Sequence, residues 1–250
     1  MKIDFANQVV LITGATRGIG KQIANDLAEL GAELILTGTS PEQIEGLNKE
    51  AQSSGNALKK YFPVDLTDEN STESFLSELK KYDKIDVCVN NAGINRINFI
   101  DETLLEDYRD VMAVNIEAPF LITREVSKIM KRNKYGRIVN ISSIWGVIGK
   151  PKRSVYSMSK FALRGLTVCA SIELAPYNIL VNSVSPGFVQ TELTTKILSN
   201  EEIEKLKEQV PVGRFAEPKE ISSVVLFLAS KHNTYVTGQN IIVDGGFVNV

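Results

Sequence analysis

Val9-Val10-Leu11-Ile12-Thr13-Gly14-Ala15-Thr16-Arg17-Gly18-Ile19-Gly20 runs from a continuous apolar segment straight into a glycine-rich turn, and residues 18–30 continue at helical spacing. A strand that feeds a helix through glycines is the first βα unit of a dinucleotide-binding sheet. The glycines permit a tight turn and let backbone N–H groups approach a pyrophosphate at the helix N-terminus. The spacing here is G-x-x-x-G-x-G, a variant of the commoner G-x-G-x-x-G. By itself such a turn also fits simple close packing, so its neighbours must decide.

Outward from that stretch the same alternation repeats. Strand candidates are Val9–Thr13, Leu34–Thr37, Ala57–Val64, Ile85–Asn90, Arg137–Ile141, Ile179–Val184 and Asn240–Val243. Several are apolar throughout, as strands covered on both faces should be. Helical patterns occupy residues 18–30, 41–53, 68–81, 103–131, 154–175 and 218–229. Strictly alternating strands and helices predict an α/β fold: a doubly wound Rossmann-type domain with a seven-stranded parallel sheet and helices on both faces. No linker, low-complexity tract or repeat interrupts the 250 residues, so one domain spanning 1–250 is expected. Only 191–211 leaves the alternation. With its charged helix candidate Asn200–Gln209 and Pro211, it reads as a small lid.

Composition removes several function classes. The 28 Lys+Arg nearly balance 30 Asp+Glu, which gives no electrostatic support to a nucleic-acid or anionic-membrane binder. A single histidine, His232, and two cysteines, Cys88 and Cys169, leave too few ligands for a zinc centre, so no metal site is expected. His232 sits in a polar stretch that reads as surface loop, and both cysteines read as small buried hydrophobes rather than a disulfide pair. No apolar run is long enough to span a bilayer, and no signal-peptide core precedes the first strand. A cytoplasmic chain is expected.

The second βα junction bears on the cofactor. NAD sites usually carry a carboxylate here to hold both ribose hydroxyls, but the segment is Leu36-Thr37-Gly38-Thr39-Ser40. Thr39 and Ser40 can donate to a 2′-phosphate, with Arg17 supplying charge from the neighbouring loop, which favours NADP(H). The same two hydroxyls also suit an N-terminal cap for the helix starting at Pro41. The two roles are compatible.

Further segments complete a pattern: Asn90-Asn91-Ala92-Gly93, Asn115, Ser142-Ser143, Tyr156-Ser157-Met158-Ser159-Lys160, Pro186-Gly187 and Asp244-Gly245-Gly246. Together with Thr13–Gly20 they resemble the short-chain dehydrogenase/reductase family over essentially the whole chain. Asn91–Arg96 and Gln209–Arg214 look like its bacterial β-ketoacyl-ACP reductase branch. Of seven tyrosines, only Tyr156 has a lysine four residues on, and it follows Ser143 by thirteen residues.

The chemistry of these residues agrees. On a helix, Tyr156 and Lys160 share one face. A free tyrosine titrates near 10, so a fixed cation beside it would suit it to proton transfer at neutral pH. Tyr156 is then the proton donor to the nascent alkoxide, and Ser143 the hydrogen-bond donor that holds the carbonyl oxygen. Pro119 has no N–H to offer the carbonyl of Asn115, so a helix through both should kink there. The resemblance implies that this carbonyl holds a water in the proton relay and that Lys160 also tethers the nicotinamide ribose. It further implies cofactor contacts at Gly14, Thr16, Arg17, Gly18, Ile19 and Gly20. The remaining contacts it implies are Asp65 and Leu66 at the adenine, Asn91, Ala92 and Gly93 along the adenosine ribose, and Pro186, Gly187, Val189 and Thr191 at the nicotinamide. For Asp65 a helix-capping role near Asp68 is the plainer reading.

The substrate is less legible. A pocket is expected between Ser143-Ile144-Trp145, Asn95-Arg96, Tyr156 and the lid, with Trp145 either a pocket wall or core. Lys150, Lys152 and Arg153 are either a solvated loop or a guide for an anionic substrate. The resemblance implies NADPH-dependent reduction of a 3-oxoacyl thioester, free or on an acyl carrier protein, in fatty acid biosynthesis. Oxidoreduction of a sugar or other secondary alcohol is the alternative, and a non-catalytic NADP-binding regulator the remaining one. Lys134 keeps a basic position that the branch presents to its carrier, whereas Tyr177 replaces an arginine. A homotetramer pairing helices 103–131 and 154–175 and the terminal strand is the family expectation.

Overall fold

The computed structural model describes residues 3–53, 58–192, 194 and 199–250. Seven strands form one parallel sheet in the order β3-β2-β1-β4-β5-β6-β7. They are β1 (Val9–Ile12), β2 (Glu33–Gly38), β3 (Lys59–Pro63), β4 (Val87–Asn90), β5 (Gly136–Ile141), β6 (Ile179–Pro186) and β7 (Asn240–Val243). β1 is central, with Val10 opposite Leu34 on one side and Val87 on the other. Chain order runs outward from β1 to β3, then restarts at β4 in the opposite direction. That reversal opens a crevice at the carboxyl ends of β1 and β4, where such sheets bind ligands.

The apolar strands are covered on both faces, as their sequences require. Leu11, Ile35, Cys88, Ile138 and Val181 face one core, filled by α3 (Glu69–Leu79), α5 (Ala118–Asn133) and α6 (Ser154–Leu174). Val10, Ile12, Leu36, Val89 and Val139 face the other, filled by Ile23 and Leu27 of α1 (Gly18–Glu29) and Ile221, Val225 and Leu228 of α8 (Pro218–Ala229). Alternate residues of one strand thus feed opposite cores, the period-two geometry of the pleat. The remaining helices are α2 (Pro41–Ser53), α4 (Leu105–Met112) and α7 (Asn200–Glu208).

Local chemistry sets the boundaries. Asp68 caps α3, accepting from the N–H groups of Asn70 and Ser71. Ser199 and Glu202 close α7 in a capping box, and Glu217 and Glu220 do so for α8. The helix expected over 103–131 is two helices, α4 and α5, joined through a π-helical turn at Ala113–Glu117, in which the Ala118 N–H reaches back to the Ala113 carbonyl. Pro119 is the physical reason: without an N–H it cannot continue the α ladder, and the wider turn absorbs the gap. The expected kink therefore takes the form of a π turn.

Two further expectations need adjustment. Cys88 is buried in β4, but Cys169 is exposed on α6, because that helix turns an outer face away from the sheet. The start of the third strand candidate, Ala57, and residues 193 and 195–198 of the expected lid lie outside the described residues. Among the described residues, no helix is long and apolar enough to cross a membrane, and no group of His, Cys, Asp and Glu gathers as a metal site.

Candidate active site

Every candidate catalytic and cofactor residue lies at the carboxyl edge of the sheet or on an element packed over it. Parallel strands end there together, so loops distant in sequence converge. The Thr13–Gly20 loop leaves β1, Thr39 and Ser40 follow β2, and Asp65 and Leu66 follow β3. Asn91–Gly93 follow β4, Ser143 follows β5, and Pro186–Thr191 leave β6.

The glycine loop is held from beneath. Gly14 N–H donates to Thr37 Oγ1 at 3.1 Å and Ala15 N–H to the Thr37 carbonyl at 2.8 Å. The Asn91 amide donates to the carbonyls of Thr13 and Gly14, both at 2.9 Å, while Thr13 Oγ1 accepts from the N–H groups of Asn91 and Ala92 at 3.0 Å. Asn91 therefore spends its side-chain amide on the loop, which leaves its backbone atoms for the expected place along the ribose. Thr13, in the opening stretch itself, is the partner that sequence reading passes over.

The loop fits a pyrophosphate on three observations. Gly14 and Gly18 adopt positive φ, +64° and +54°, which side chains rarely tolerate. A Cβ on Gly20 would meet Asn91 Nδ2 at 2.3 Å and the Gly14 carbonyl at 2.4 Å, so the backbone approach is possible only for glycine. The N-terminus of α1 has neither a side-chain cap nor an acidic residue in its first turn, leaving its N–H groups and positive dipole end to an anion. Thr191 Cγ2 stands 3.6 Å from the Gly18 Cβ direction, bringing the segment after β6 against the same loop.

Other cofactor candidates divide. Arg17 is exposed at the N-cap of α1, and Thr39 is exposed. Ser40 does cap α2: its Oγ accepts from Gln43 N–H at 3.2 Å and donates to Glu42 at 2.9 Å. Asp65 is exposed and its Oδ1 accepts from both the N–H and the hydroxyl of Thr67, shaping the turn before α3, while the helix cap itself is Asp68. Leu66 is only 8% exposed and packs in the core with α3, which leaves backbone atoms for any ligand. Ile19 packs partly against the α1 core, Pro186 and Val189 are buried, and Gly187 approaches Asp244 too closely for a Cβ, which would lie 2.7 Å from Asp244 Cβ.

The reacting groups assemble around α6. Tyr156 and Lys160 lie a turn apart, with the Lys160 ammonium 5.6 Å from the phenol ring centroid. The Ser143 hydroxyl lies beside that of Tyr156 and favours its ionised form, and Ser143 Oγ accepts from Trp145 N–H at 3.2 Å. Burial raises the Tyr156 phenol above the ordinary tyrosine value; the Ser143 hydrogen bond and the Arg153 charge oppose that rise. Lys160 is 3% exposed, and desolvation lowers its ammonium to about 8. Its Nζ donates to the Ile141 carbonyl at 2.9 Å. A Cβ on Gly93 would lie 3.4 Å from both Lys160 Nζ and Asn115 Oδ1, so Gly93 keeps the space between them open.

Asn115, in the π turn, is fully buried and pinned by its side chain. Its Nδ2 donates to the Ile94 carbonyl at 2.9 Å and to Ser159 Oγ at 3.0 Å, and its Oδ1 accepts from Ile94 N–H at 2.9 Å. Ser159 in turn donates to the Tyr156 carbonyl at 2.7 Å. This side-chain clamp joins the loop after β4 to α6. Sequence reading missed Ser159, although it lies inside the Tyr156–Lys160 segment.

Several pocket expectations resolve. Trp145 packs edge-on against Phe188 and Phe247, with ring centroids 6.3 and 6.1 Å away, so it belongs to an aromatic cluster that joins the Ser143 segment to the segment after β6. Arg96 is ion-paired to Asp107 and Asp110 of α4. Lys134 and Tyr177 sit just before β5 and β6, at the amino edge of the sheet, a strand's length from this chain's own site. Helix ends that precede a strand cannot border the edge where that strand finishes.

Fold and site together define a dinucleotide-dependent oxidoreductase. The family profile described as "Enoyl-(Acyl carrier protein) reductase" matches residues 14–248. The chain belongs to the short-chain dehydrogenase/reductase family, NAD(P)-dependent enzymes that interconvert CH–OH and C=O. It is 41% identical to the 3-oxoacyl-(acyl-carrier-protein) reductase FabG of Aquifex aeolicus, covering 98% of this chain and 99% of that protein. The FabG of Escherichia coli is 34% identical over 99% of this chain and 100% of its own. Among solved structures, a gluconate 5-dehydrogenase from Burkholderia cenocepacia in complex with NADP and tartrate superposes with a TM-score of 0.90 at 29% identity, covering 99% and 97% of the two chains.

Proposed function

We propose that the protein is an NADPH-dependent reductase of 3-oxoacyl thioesters, carried on acyl carrier protein or CoA. The observation that carries this reading is Tyr156 with the buried Lys160 one turn away, its ammonium 5.6 Å from the phenol ring, at the edge where the glycine loop and Ser143 also end. Full-length similarity to the FabG proteins supports the thioester.

The glycine loop after β1 and the segment after β6 would hold the nicotinamide cofactor, which would supply the hydride when bound. Ser143 orients the keto oxygen and stabilises the charge that develops on it. Tyr156 delivers its proton to that oxygen, and Lys160 holds the ribose and the phenol in register. Asn115 fixes α6 against the loop after β4, and its main-chain carbonyl holds the water that reprotonates Lys160. The lack of an acid at residues 38–40, with exposed Thr39 and Arg17 beside it, supports NADPH over NADH. An enoyl reduction, as in the family profile's description, would put hydride on the β-carbon and charge on the remote thioester oxygen, whereas Tyr156 beside Ser143 suits an oxygen on the very carbon that takes the hydride.

A homotetramer fits the surface. Phe120, Phe161, Val168 and Ile172 of α5 and α6 are exposed, as are Ile242 and Val250 at the β7 edge. Contiguous apolar faces of this kind mark association surfaces.

A second reading rests on Lys150, Lys152 and Arg153, none of which is ion-paired among the described residues. That surplus suits an anionic hydroxy acid or sugar acid. Nicotinamide absorbance with acetoacetyl-CoA, run with NADPH and NADH in parallel, tests the first reading. Rapid NADPH-selective turnover is the expected result. Tight NADPH binding with no turnover would remove the thioester and favour the acids.

A further inference from the structure

Trp145 is anchored one hydrogen bond from the site. Its main-chain N–H donates to Ser143 Oγ at 3.2 Å, and its ring meets Phe188, the residue after Gly187, at 6.3 Å between centroids. Phe247, from the C-terminal turn, touches both: Trp145 at 6.1 Å and Phe188 at 5.2 Å, each edge to face. On Phe188 the buried ring of Phe215 is stacked at 5.1 Å. These rings fill the space between the Ser143 segment and the segment after β6, at spacings where aromatic pairs are in contact.

The cluster is also braced. The Lys150 ammonium stands over the indole, 5.2 Å from its centre, so a cation covers one face of a ring whose flanks carry Phe188 and Phe247. Asp244 ties down the turn that presents Phe247, accepting from the N–H groups of Gly246 at 2.9 Å and Val248 at 2.8 Å. The Val212 N–H donates to the Gly245 carbonyl at 3.2 Å, which fastens the same turn to the end of the lid. Close-packed rings held at their backbones have little room to give, and forcing methylenes into such packing is costly.

The carbon that takes the hydride in a 3-oxoacyl thioester bears two substituents. One is the thioester arm, whose carrier is too large for the crevice, so that arm leaves by the open side. The other is the alkyl tail. We infer that the tail turns inward against the rings beside Ser143, and that Trp145, Phe188 and Phe247 form the wall that limits its length. A methyl or short alkyl tail is admitted and a medium-length one excluded. This rests on the reading of the protein as a thioester reductase and deepens it to short-chain substrates.

The test compares kcat/KM for acetoacetyl-CoA and 3-oxodecanoyl-CoA with NADPH, in wild type, Trp145→Val and Phe247→Leu. Wild type is expected to prefer the shorter substrate by at least about tenfold, the worth of methylenes that a pocket does not receive. The two variants open the wall from different segments, and each is expected to cut that preference by about tenfold. A merely structural role would slow both substrates alike and leave the ratio unmoved. NADPH fluorescence titration reports whether each variant is folded. Equal efficiency of wild type on both thioesters overturns the inference, even where a variant fails to fold; so does an unmoved ratio in the folded variants. In either case the thioester reading stands. If NADPH binds and neither thioester is reduced, that reading falls and the wall's role with it.

Discussion

The Lys160 ammonium and the Ile141 carbonyl are hydrogen bonded at 2.9 Å beneath a side chain that is only 3% exposed. The enzyme thus keeps a cation in the interior with a neutral partner. The free protein carries a desolvation penalty for having it there, which a ligand-binding site tolerates and a purely structural core would not.

That penalty has a definite pH dependence. The folded Lys160 titrates at about 8, below the unfolded value, so between those two pH values the unfolded chain binds more protons. Stability contributed by this group rises with pH across the window, and the full penalty is present below it. Lys160→Met is expected to stabilise the free protein at pH 7 by about 2 kcal/mol while abolishing turnover. Denaturant midpoints for the two proteins should converge above a pH of about 10.5. A variant less stable at pH 7 contradicts the assignment.

Removing the Tyr156 hydroxyl should separate binding from chemistry. Tyr156→Phe is expected to lower kcat by about 10²–10⁴-fold, the ordinary worth of a positioned acid. NADPH fluorescence titration should give an affinity close to that of the wild type. Unchanged turnover would remove Tyr156 as the proton donor.

The glycine loop offers a steric test with an internal control. Gly20→Ala places a methyl 2.3 Å from Asn91 Nδ2 and 2.4 Å from the Gly14 carbonyl, so the loop must shift. We expect a loss of about 2 kcal/mol in stability and at least a roughly tenfold loss of NADPH affinity. Gly149, with open space around its Cβ direction, should accept alanine with neither effect.

Cofactor choice should turn on the end of β2. Thr39→Asp sets a carboxylate where a 2′-phosphate would lie and where a 2′-hydroxyl would be held. The ratio of kcat/KM for NADPH to that for NADH should fall by about 10²-fold, which parallel steady-state assays read directly. An unchanged ratio would place the phosphate elsewhere.

Asn115→Ala removes a side chain that makes three hydrogen bonds and leaves the part-buried N–H and carbonyl of Ile94 unpaired. A loss of about 2–3 kcal/mol is expected from thermal or urea unfolding, with turnover falling as α6 loses its brace. A variant as stable as wild type would mean the clamp is incidental.

Much of this was readable without coordinates, because it depends on local pattern. Strand runs such as Val9–Ile12 are apolar throughout since both faces are covered, and Asn240–Val243 is observed with the bounds its sequence predicts. The i, i+4 spacing of Tyr156 and Lys160 put them on one helical face, and Pro119 announced a broken ladder near Asn115.

What sequence alone could not decide was which partner each polar side chain takes, since partners are chosen across the sheet. That the Asn91 amide braces the glycine loop shows only once the carbonyls of Thr13 and Gly14 are seen beside it. Lys134 reads as bordering the site until strand direction puts it at the opposite edge. Helical and strand periodicities are carried by near neighbours along the chain, and so the sequence by itself determined the elements and the pairing of Tyr156 with Lys160. Burial and charge environment are sums over residues brought together only by packing, and for that reason the tertiary structure alone decided what surrounds them.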